Sequence, residues 1–170
     1  MTLHAITLVG HDRPGIIAEA TGILGSLGLN LDDSTMTLLR GQFAMTLICD
    51  GEASADAIES ALQPMTGPLA VTVREVPDER TTSTPATSWV LSVHGGDRPG
   101  IVSSVVSRVA GAGGNITDLT THLKGDLYLL VAEVDLPADA DVEALRTALG
   151  VVADEFAVGV TLNPVEADEL

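Results

Sequence analysis

The chain contains one segment twice, and this repeat limits the possible folds more than any other feature. The segment from Gly10 to Ile17 reads GHDRPGII, and the segment from Gly95 to Val102, 85 residues later, reads GGDRPGIV. Aligned with this offset, positions 10–50 and 95–135 share twelve identical residues in 41, where ordinary composition would give about two or three. The repeat predicts two copies of one folding unit.

Hydrophobic periodicity predicts the same order of elements, βαββαβ, in both copies. The predicted strands span 3–9, 30–39, 42–50 and a segment from 69 in the first copy, then 89–93, 115–123, 127–134 and 156–162. The predicted helices span 14–27, 54–63, 99–112 and 139–149. The fold class is therefore α+β, with two ferredoxin-like units in tandem. Each unit should have a four-stranded antiparallel sheet with both helices on one face.

Breaks in this periodicity divide the chain into two domains. The first domain is predicted to span 1–76 and the second 88–163. Between them, 77–87 contains prolines, serines and threonines without an apolar face, which is typical of a linker. Residues 164–170 form an acidic tail.

Composition and charge exclude several functional classes. The net charge of −16 argues against direct nucleic-acid binding and against an anionic membrane surface, although it would also serve solubility alone. No uncharged run is long enough to span a membrane, and the N-terminus lacks the basic region of a secretory signal. Together with a single cysteine, these features indicate a cytoplasmic protein.

The DRPG tetrapeptides mark where each first strand passes into its helix. Proline suits a first helical turn, and glycine leaves main-chain amides accessible. Such a turn has two interpretations. It is either a well-formed strand-to-helix connection, or a site where helix N-terminal amides bind a carboxylate while Asp12 or Asp97 accepts a hydrogen bond from an ammonium group. Arg13 and Arg98 likewise either pair with local acids or clamp a ligand carboxylate.

Catalytic and metal-binding patterns are not found in the sequence. The four histidines are scattered, and none has metal-ligand spacing with Cys49, which falls on the apolar face of a predicted strand. We therefore expect a protein that is not an enzyme and that has no metal and no cofactor.

The paired motifs resemble those of the ACT domain family. The resemblance rests on Asp12–Gly15 followed by Asn30, on Asp97–Gly100 followed by Asn115, and on the element order, and it extends from Leu3 to about Leu162. A tandem pair of ACT domains is similar to the group of glycine cleavage system transcriptional repressors. It also resembles the amino-terminal regulatory part of some phosphoserine phosphatases.

The resemblance implies a regulatory sensor that binds a small ligand, usually an amino acid, where two ACT units meet. The predicted ligand-binding residues are Asp12, Arg13, Gly15, Ile16 and Asn30 in the first copy, and Asp97, Arg98, Gly100, Ile101 and Asn115 in the second. All of them except the two arginines are carried over by position from the family. His11 is an additional contact in the first site only. The copies also differ at Leu29 against Gly114 and at Asp32 against Thr117, so their ligands need not be the same.

The implied partners are an amino acid, a regulatory protein, and either a second chain or the other ACT unit of the same chain. The alternative function is a ligand-free module for protein interaction or oligomerisation, such as a repressor accessory protein. Covered DRPG loops would favour this alternative.

Overall fold

The structure is a computed structural model that describes residues 2–65, 69–77 and 86–165. The chain divides into two compact units, Met1–Thr81 and Thr82–Leu170. The predicted linker falls largely on 78–85, and most of the predicted acidic tail on 166–170, both outside the described residues.

The first unit has the predicted βαββαβ order. Its elements are β1 (Thr2–His11), α1 (Ile16–Ser26), β2 (Asn30–Leu39), β3 (Gln42–Gly51), α2 (Ala55–Leu62), a short 3-10 helix (Gln63–Met65) and β4 (Leu69–Val76). All strand pairs are antiparallel and the sheet order is β2-β3-β1-β4. The two-residue turn between β2 and β3 has positive φ at Arg40 and Gly41, as a type I′ hairpin requires.

The core of the first unit lies between one sheet face and its two helices. Ile6 and Leu8 of β1 pair in register with Leu47 and Met45 of β3, and all four are buried. They form one cluster with the buried residues of α1 and α2, which are Ile16, Ala20, Leu24, Ile58 and Leu62. Because side chains alternate along a strand, the residues between them point to the opposite, helix-free face, which we call the open face.

The second unit repeats this architecture. Its elements are β5 (Ala86–Gly96), α3 (Ile101–Gly111), β6 (Asn115–Lys124), β7 (Leu127–Pro137), α4 (Val142–Phe156) and β8 (Val158–Pro164), and the sheet order is β6-β7-β5-β8. Leu91 and Val93 lie at the positions of Ile6 and Leu8, and they pack with Val105, Val109, Leu145 and Leu149 of the two helices. The predicted α+β class and ferredoxin-like topology are confirmed in both units.

Two elements differ clearly from their predicted bounds. The strand expected over 89–93 spans Ala86–Gly96, so Ala86 and Thr87 of the predicted linker belong to a strand. The helix expected over 139–149 begins at Val142 and continues to Phe156, so Phe156 ends a helix and does not begin the last strand. Asp141 caps this helix by accepting a hydrogen bond from the Ala144 amide at 2.9 Å. The helix ends at Ala157, which adopts a left-handed conformation with φ of 53°.

In the part of the chain that the structure describes, no helix is both long and apolar enough to cross a bilayer.

Candidate functional site

Both DRPG segments form the same turn, in which glycine ends the loop and the helix follows. Gly15 and Gly100 are the N-cap residues of α1 and α3, with φ of 87° and 96°. This left-handed region favours glycine because a β-carbon would clash with the backbone. The helices therefore begin at Ile16 and Ile101, two residues after the prolines, and Pro14 and Pro99 lie in the turn and not in the first helical turn as expected.

The first turn of each helix is left without a side-chain cap. Among the described residues, no side chain accepts a hydrogen bond from the N-cap region of α1 or α3. The amides at the start of a helix have no intrahelical acceptor, and they lie at the positive end of the helix dipole. Each DRPG turn consequently presents main-chain donors to an anionic group, although in the second turn the Ile101 amide already donates to the carbonyl oxygen of Arg98 at 3.4 Å.

The first DRPG loop borders a hollow of about 450 Å³. Four residues predicted from the sequence line it together, namely Asp12, Arg13, Gly15 and Ile16. The remaining lining residues are mostly apolar: Ile17, Ala18, Met36 and Phe43. The hollow thus combines a carboxylate, a guanidinium and accessible amides with a small apolar wall.

The loop is held in place by a bond to the neighbouring hairpin. The amide of Asp12 donates to the carbonyl oxygen of Gly41 at 3.0 Å, which joins the loop to the turn between β2 and β3. The Asp12 side chain is exposed, so its carboxylate remains accessible for a ligand.

The two arginines of the motif differ in their partners. Arg13 Nη2 donates to Glu19 Oε2 at 2.5 Å, so the interpretation as a local ion pair applies to this arginine. The position of Glu19 is Ser104 in the second copy. Within the described residues Arg98 has no ion-pair partner, and its guanidinium is therefore available to an external anion.

The two asparagines lie far from the DRPG loops of their own units. Asn30 pairs with Asp50 at one end of β3, whereas the Asp12 loop lies beside Gln42 at the other end. Eight residues of strand separate these ends, which corresponds to about 26 Å. Asn115, paired with Asp135, is placed in the same way relative to Asp97. Within one unit, a single amino acid cannot contact both predicted residues.

The second DRPG loop has an aromatic neighbour that the sequence interpretation missed. A β-carbon on Gly100 would lie 3.6 Å from Cζ of Phe156, whereas a β-carbon on Gly15 would have no neighbour within 4 Å. The aromatic ring therefore covers part of the second loop, although Asp97, Arg98 and Gly100 remain exposed. It was missed because Phe156 was predicted to begin a strand.

The residues that differ between the two copies beside the motif lie in three different environments. His11 is exposed at the end of β1, next to the loop. Leu29 is buried in the core, and its counterpart Gly114 is packed against Leu136 and Val109, so this difference concerns packing and not a ligand. Asp32 lies at a β-bulge and accepts a hydrogen bond from Asn30 at 3.2 Å.

The residues with potential for catalysis or metal binding are dispersed. Cys49 is buried, and burial, followed by the negative charge of Asp32, raises the pKa of its thiol. A raised pKa disfavours the reactive thiolate, which supports the interpretation of Cys49 as a core residue. Within the described ranges, no group of three or more histidine, cysteine, aspartate or glutamate side chains could hold a metal ion.

A larger hollow of about 560 Å³ lies between α3 and α4 of the second unit and contains none of the predicted site residues. In the first unit the positions of Arg108 and Ala112 hold the apolar residues Ile23 and Leu27, which pack against the core. Its walls combine alanine and glycine with three exposed charged residues, Arg108, Asp139 and Asp141, and none of its lining residues is a buried polar side chain that points to a ligand. We therefore place the candidate site at the first DRPG loop, where four residues of the repeated motif line one hollow.

Comparison with known proteins agrees with the architecture of both units. A model of the ACT domain matches residues 4–74 and 88–163. The glycine cleavage system transcriptional repressor of Escherichia coli is 24% identical over 169 residues, which cover 94% of this chain and 88% of the repressor. A UPF0237 protein of Methanopyrus kandleri is 34% identical over 76 residues, which cover 43% of this chain and 84% of that protein.

Two solved structures resemble nearly the whole chain. An unknown protein from Galdieria sulphuraria has a TM-score of 0.86 and 28% identity, covering 97% of this chain and 99% of its own. A structure assigned to the glycine cleavage system transcriptional repressor has a TM-score of 0.72 and 18% identity, covering 98% of each chain. At this identity, the second likeness shows the fold alone.

Proposed function

Because the chain belongs to the ACT domain family, we propose that it is a non-catalytic regulatory sensor whose first DRPG loop binds a small amino acid. The observation that carries the proposal is the hollow in which Asp12, Arg13, Gly15 and Ile16 meet. The α-carboxylate of the ligand accepts hydrogen bonds from the amides at the start of α1, and the ammonium group donates to Asp12. The apolar wall formed by Met36 and Phe43 suits a short aliphatic side chain.

The first loop is the stronger site of the two because it is open where the second is partly covered. Gly15 has free space beside it, whereas Phe156 lies against Gly100. In the first loop the guanidinium of Arg13 is occupied by Glu19, so recognition of the carboxylate relies on main-chain amides. Asp12 then selects for an ammonium group, and the apolar wall selects among amino-acid side chains.

Ligand occupancy is passed on through a protein partner. The relative from Escherichia coli is by its name a transcriptional repressor, yet the net charge of −16 disfavours contact between this chain and DNA phosphates. A regulatory protein that itself binds DNA, or an enzyme of amino-acid metabolism, fits this charge better.

Isothermal titration calorimetry of the full chain against each of the twenty amino acids tests the proposal. At least one amino acid should bind, and Asp12→Asn should weaken it about tenfold or more, since a hydrogen bond to a charged group contributes about 1.5–3 kcal/mol. The matched variant Asp97→Asn, at the same position of the second copy, should leave this affinity unchanged. Folded protein that binds none of the twenty would refute the proposal.

The second candidate function is a ligand-free interaction module, and the second unit gives it specific support. Phe156 against Gly100 is the kind of loop cover expected if that site no longer receives a ligand. Under this alternative neither Asp12→Asn nor Asp97→Asn changes any amino-acid affinity, because no amino acid binds. The calorimetric series therefore separates the two functions.

A further inference from the structure

The open face of the first sheet carries an unusual row of threonines. In the sheet order, Thr35 pairs with Thr46, Thr46 with Thr7, and Thr7 with Thr72, so one threonine stands on each of the four strands. Thr7 and Thr46 alternate with buried core residues, which places the row on the face away from the helices. The residues around the row are mainly small or apolar, including Ala5, Ala44, Ile48, Ala70 and Val9.

The next row along the strands carries one charge of each sign at its two ends. Asp33 on β2 is followed across the sheet by Ile48, Ala5 and finally Arg74 on β4. Three strand spacings separate Asp33 from Arg74, about 14 Å, so the two cannot pair with each other. Neither forms an ion pair with any other described residue.

This charge pattern is self-complementary. The geometry points to a homodimer in which the open face of one first unit packs on the open face of a second copy, about a two-fold axis parallel to the strands. Such an axis exchanges the two edges of the sheet and keeps the rows aligned. Asp33 of each copy then faces Arg74 of the other, and the threonine rows face each other.

Two further features of the open face agree with a second copy of the chain as its partner. A shallow hollow of about 160 Å³, lined by Asp33, Ser34, Thr35, Thr46 and Ile48, lies where the guanidinium from the second copy would arrive. The chain has a net charge of −16, yet the two central rows carry a single acid and a single base. Two copies can therefore meet here without bringing their acidic excess together.

The size of the face indicates a reversible dimer. Four strands and eight residues per strand span about 19 by 26 Å, so two copies would bury roughly 1,000 Å² in total. This area is at the lower limit for a specific interface, and aligned packing of sheets about 10 Å apart requires small side chains such as these. Association should accordingly depend on concentration in the micromolar range.

Sedimentation velocity of the full chain over a range of concentrations tests the inference. The mass of the wild type should rise from 17.5 kDa toward twice that value. Arg74→Asp and Asp33→Arg each place like charges opposite one another and should raise the dimer dissociation constant at least tenfold. The charge exchange Asp33→Arg with Arg74→Asp restores opposite charges and should recover most of the association.

The recovery in the exchanged variant distinguishes a facing pair from a general effect of charge. The matched control is Arg108→Asp on α3 of the second unit, which makes the same charge change elsewhere and should leave association unaltered. A wild type that stays monomeric at all concentrations would overturn the inference. So would dimers that persist in both single variants, or an exchanged variant that does not recover. No amino acid enters this assay, so its outcome is independent of the proposed ligand.

Discussion

The side chain of Leu29 fills the space beside Gly51, where an added β-carbon would lie 2.5 Å from the leucine Cδ2 atom. In the second unit the equivalent positions hold Gly114 and Leu136, and a β-carbon on Gly114 would lie 2.8 Å from Leu136 Cδ2. The leucine thus precedes the second strand in one unit and lies on the third strand in the other. In each unit one leucine side chain fills this part of the core. The leucine and the glycine occupy opposite positions of the pair in the two units.

This exchange predicts strong coupling between the two positions. Gly114→Leu alone places a second leucine in filled space and should lower the free energy of unfolding by about 1–3 kcal/mol. Adding Leu136→Gly recreates the arrangement of the first unit and should recover part of the loss. Chemical denaturation of the two single variants and the double variant measures the coupling, which should be at least about 1 kcal/mol. Additive effects would contradict the shared space.

The C-terminus of α4 predicts two stabilising substitutions. Ala157 has a φ of 53° where glycine is preferred, and Gly150 lies inside the helix with no neighbour within 4 Å of an added β-carbon. Ala157→Gly and Gly150→Ala should each raise the free energy of unfolding by about 1 kcal/mol. Thermal unfolding of both variants measures the gain. As a control, Ala153→Gly places a glycine inside the same helix and should lower the free energy of unfolding by a similar amount.

The same helix shows why the sequence predicted the topology better than the element bounds. Duplication and alternating apolar residues predicted eight strands and four helices correctly, because these patterns reflect burial on one face. The predicted end of α4 was wrong because Gly150 resembles a helix stop although it lies within the helix. The true stop at Ala157 has no glycine or asparagine to mark it.

The candidate site was predictable in part for a similar reason. The residues of the first DRPG loop that line the hollow are close in sequence, so their proximity follows from a single turn. The distance of Asn30 from Asp12 depends on the register between β2 and β3, which local patterns did not supply. The contact between Phe156 and Gly100 depends on where α4 ends.

His4 predicts that the core of the first unit can be stabilised. Its side chain is 0% exposed, and among the described residues neither ring nitrogen has a hydrogen-bond partner. A buried polar group without partners is costly, so His4→Leu should raise the free energy of unfolding by about 1 kcal/mol. At the equivalent position Trp89 donates from Nε1 to Thr87 Oγ1 at 2.9 Å. Trp89→Leu should therefore have the opposite effect in parallel denaturation curves.

Cys49 predicts a loss of stability at alkaline pH. Burial, followed by the charge of Asp32, raises the pKa of the thiol in the folded protein. Above the unfolded pKa of about 8.5, the unfolded chain releases the proton more readily than the folded chain, so the free energy of unfolding falls as pH rises. Urea denaturation between neutral and alkaline pH should show a steeper fall for the wild type than for Cys49→Ala. Parallel curves would contradict the expectation.

The charge of the chain predicts the behaviour of the protein toward DNA. At a net charge of −16, purified protein alone should give no specific band shift at physiological salt, because contact with phosphates requires a basic surface. A band shift that appears only after adding a DNA-binding partner would agree with control through that protein. Tight sequence-specific binding by the chain alone would contradict it.

The hydrogen bond from the Asp12 amide to the Gly41 carbonyl oxygen connects the first loop to the turn of the β2–β3 hairpin. A molecule bound in the hollow would contact this hairpin as well as the loop, because Met36 and Phe43 line the same hollow. Movement of the loop on ligand binding would therefore also move β2, which is an edge strand of the sheet.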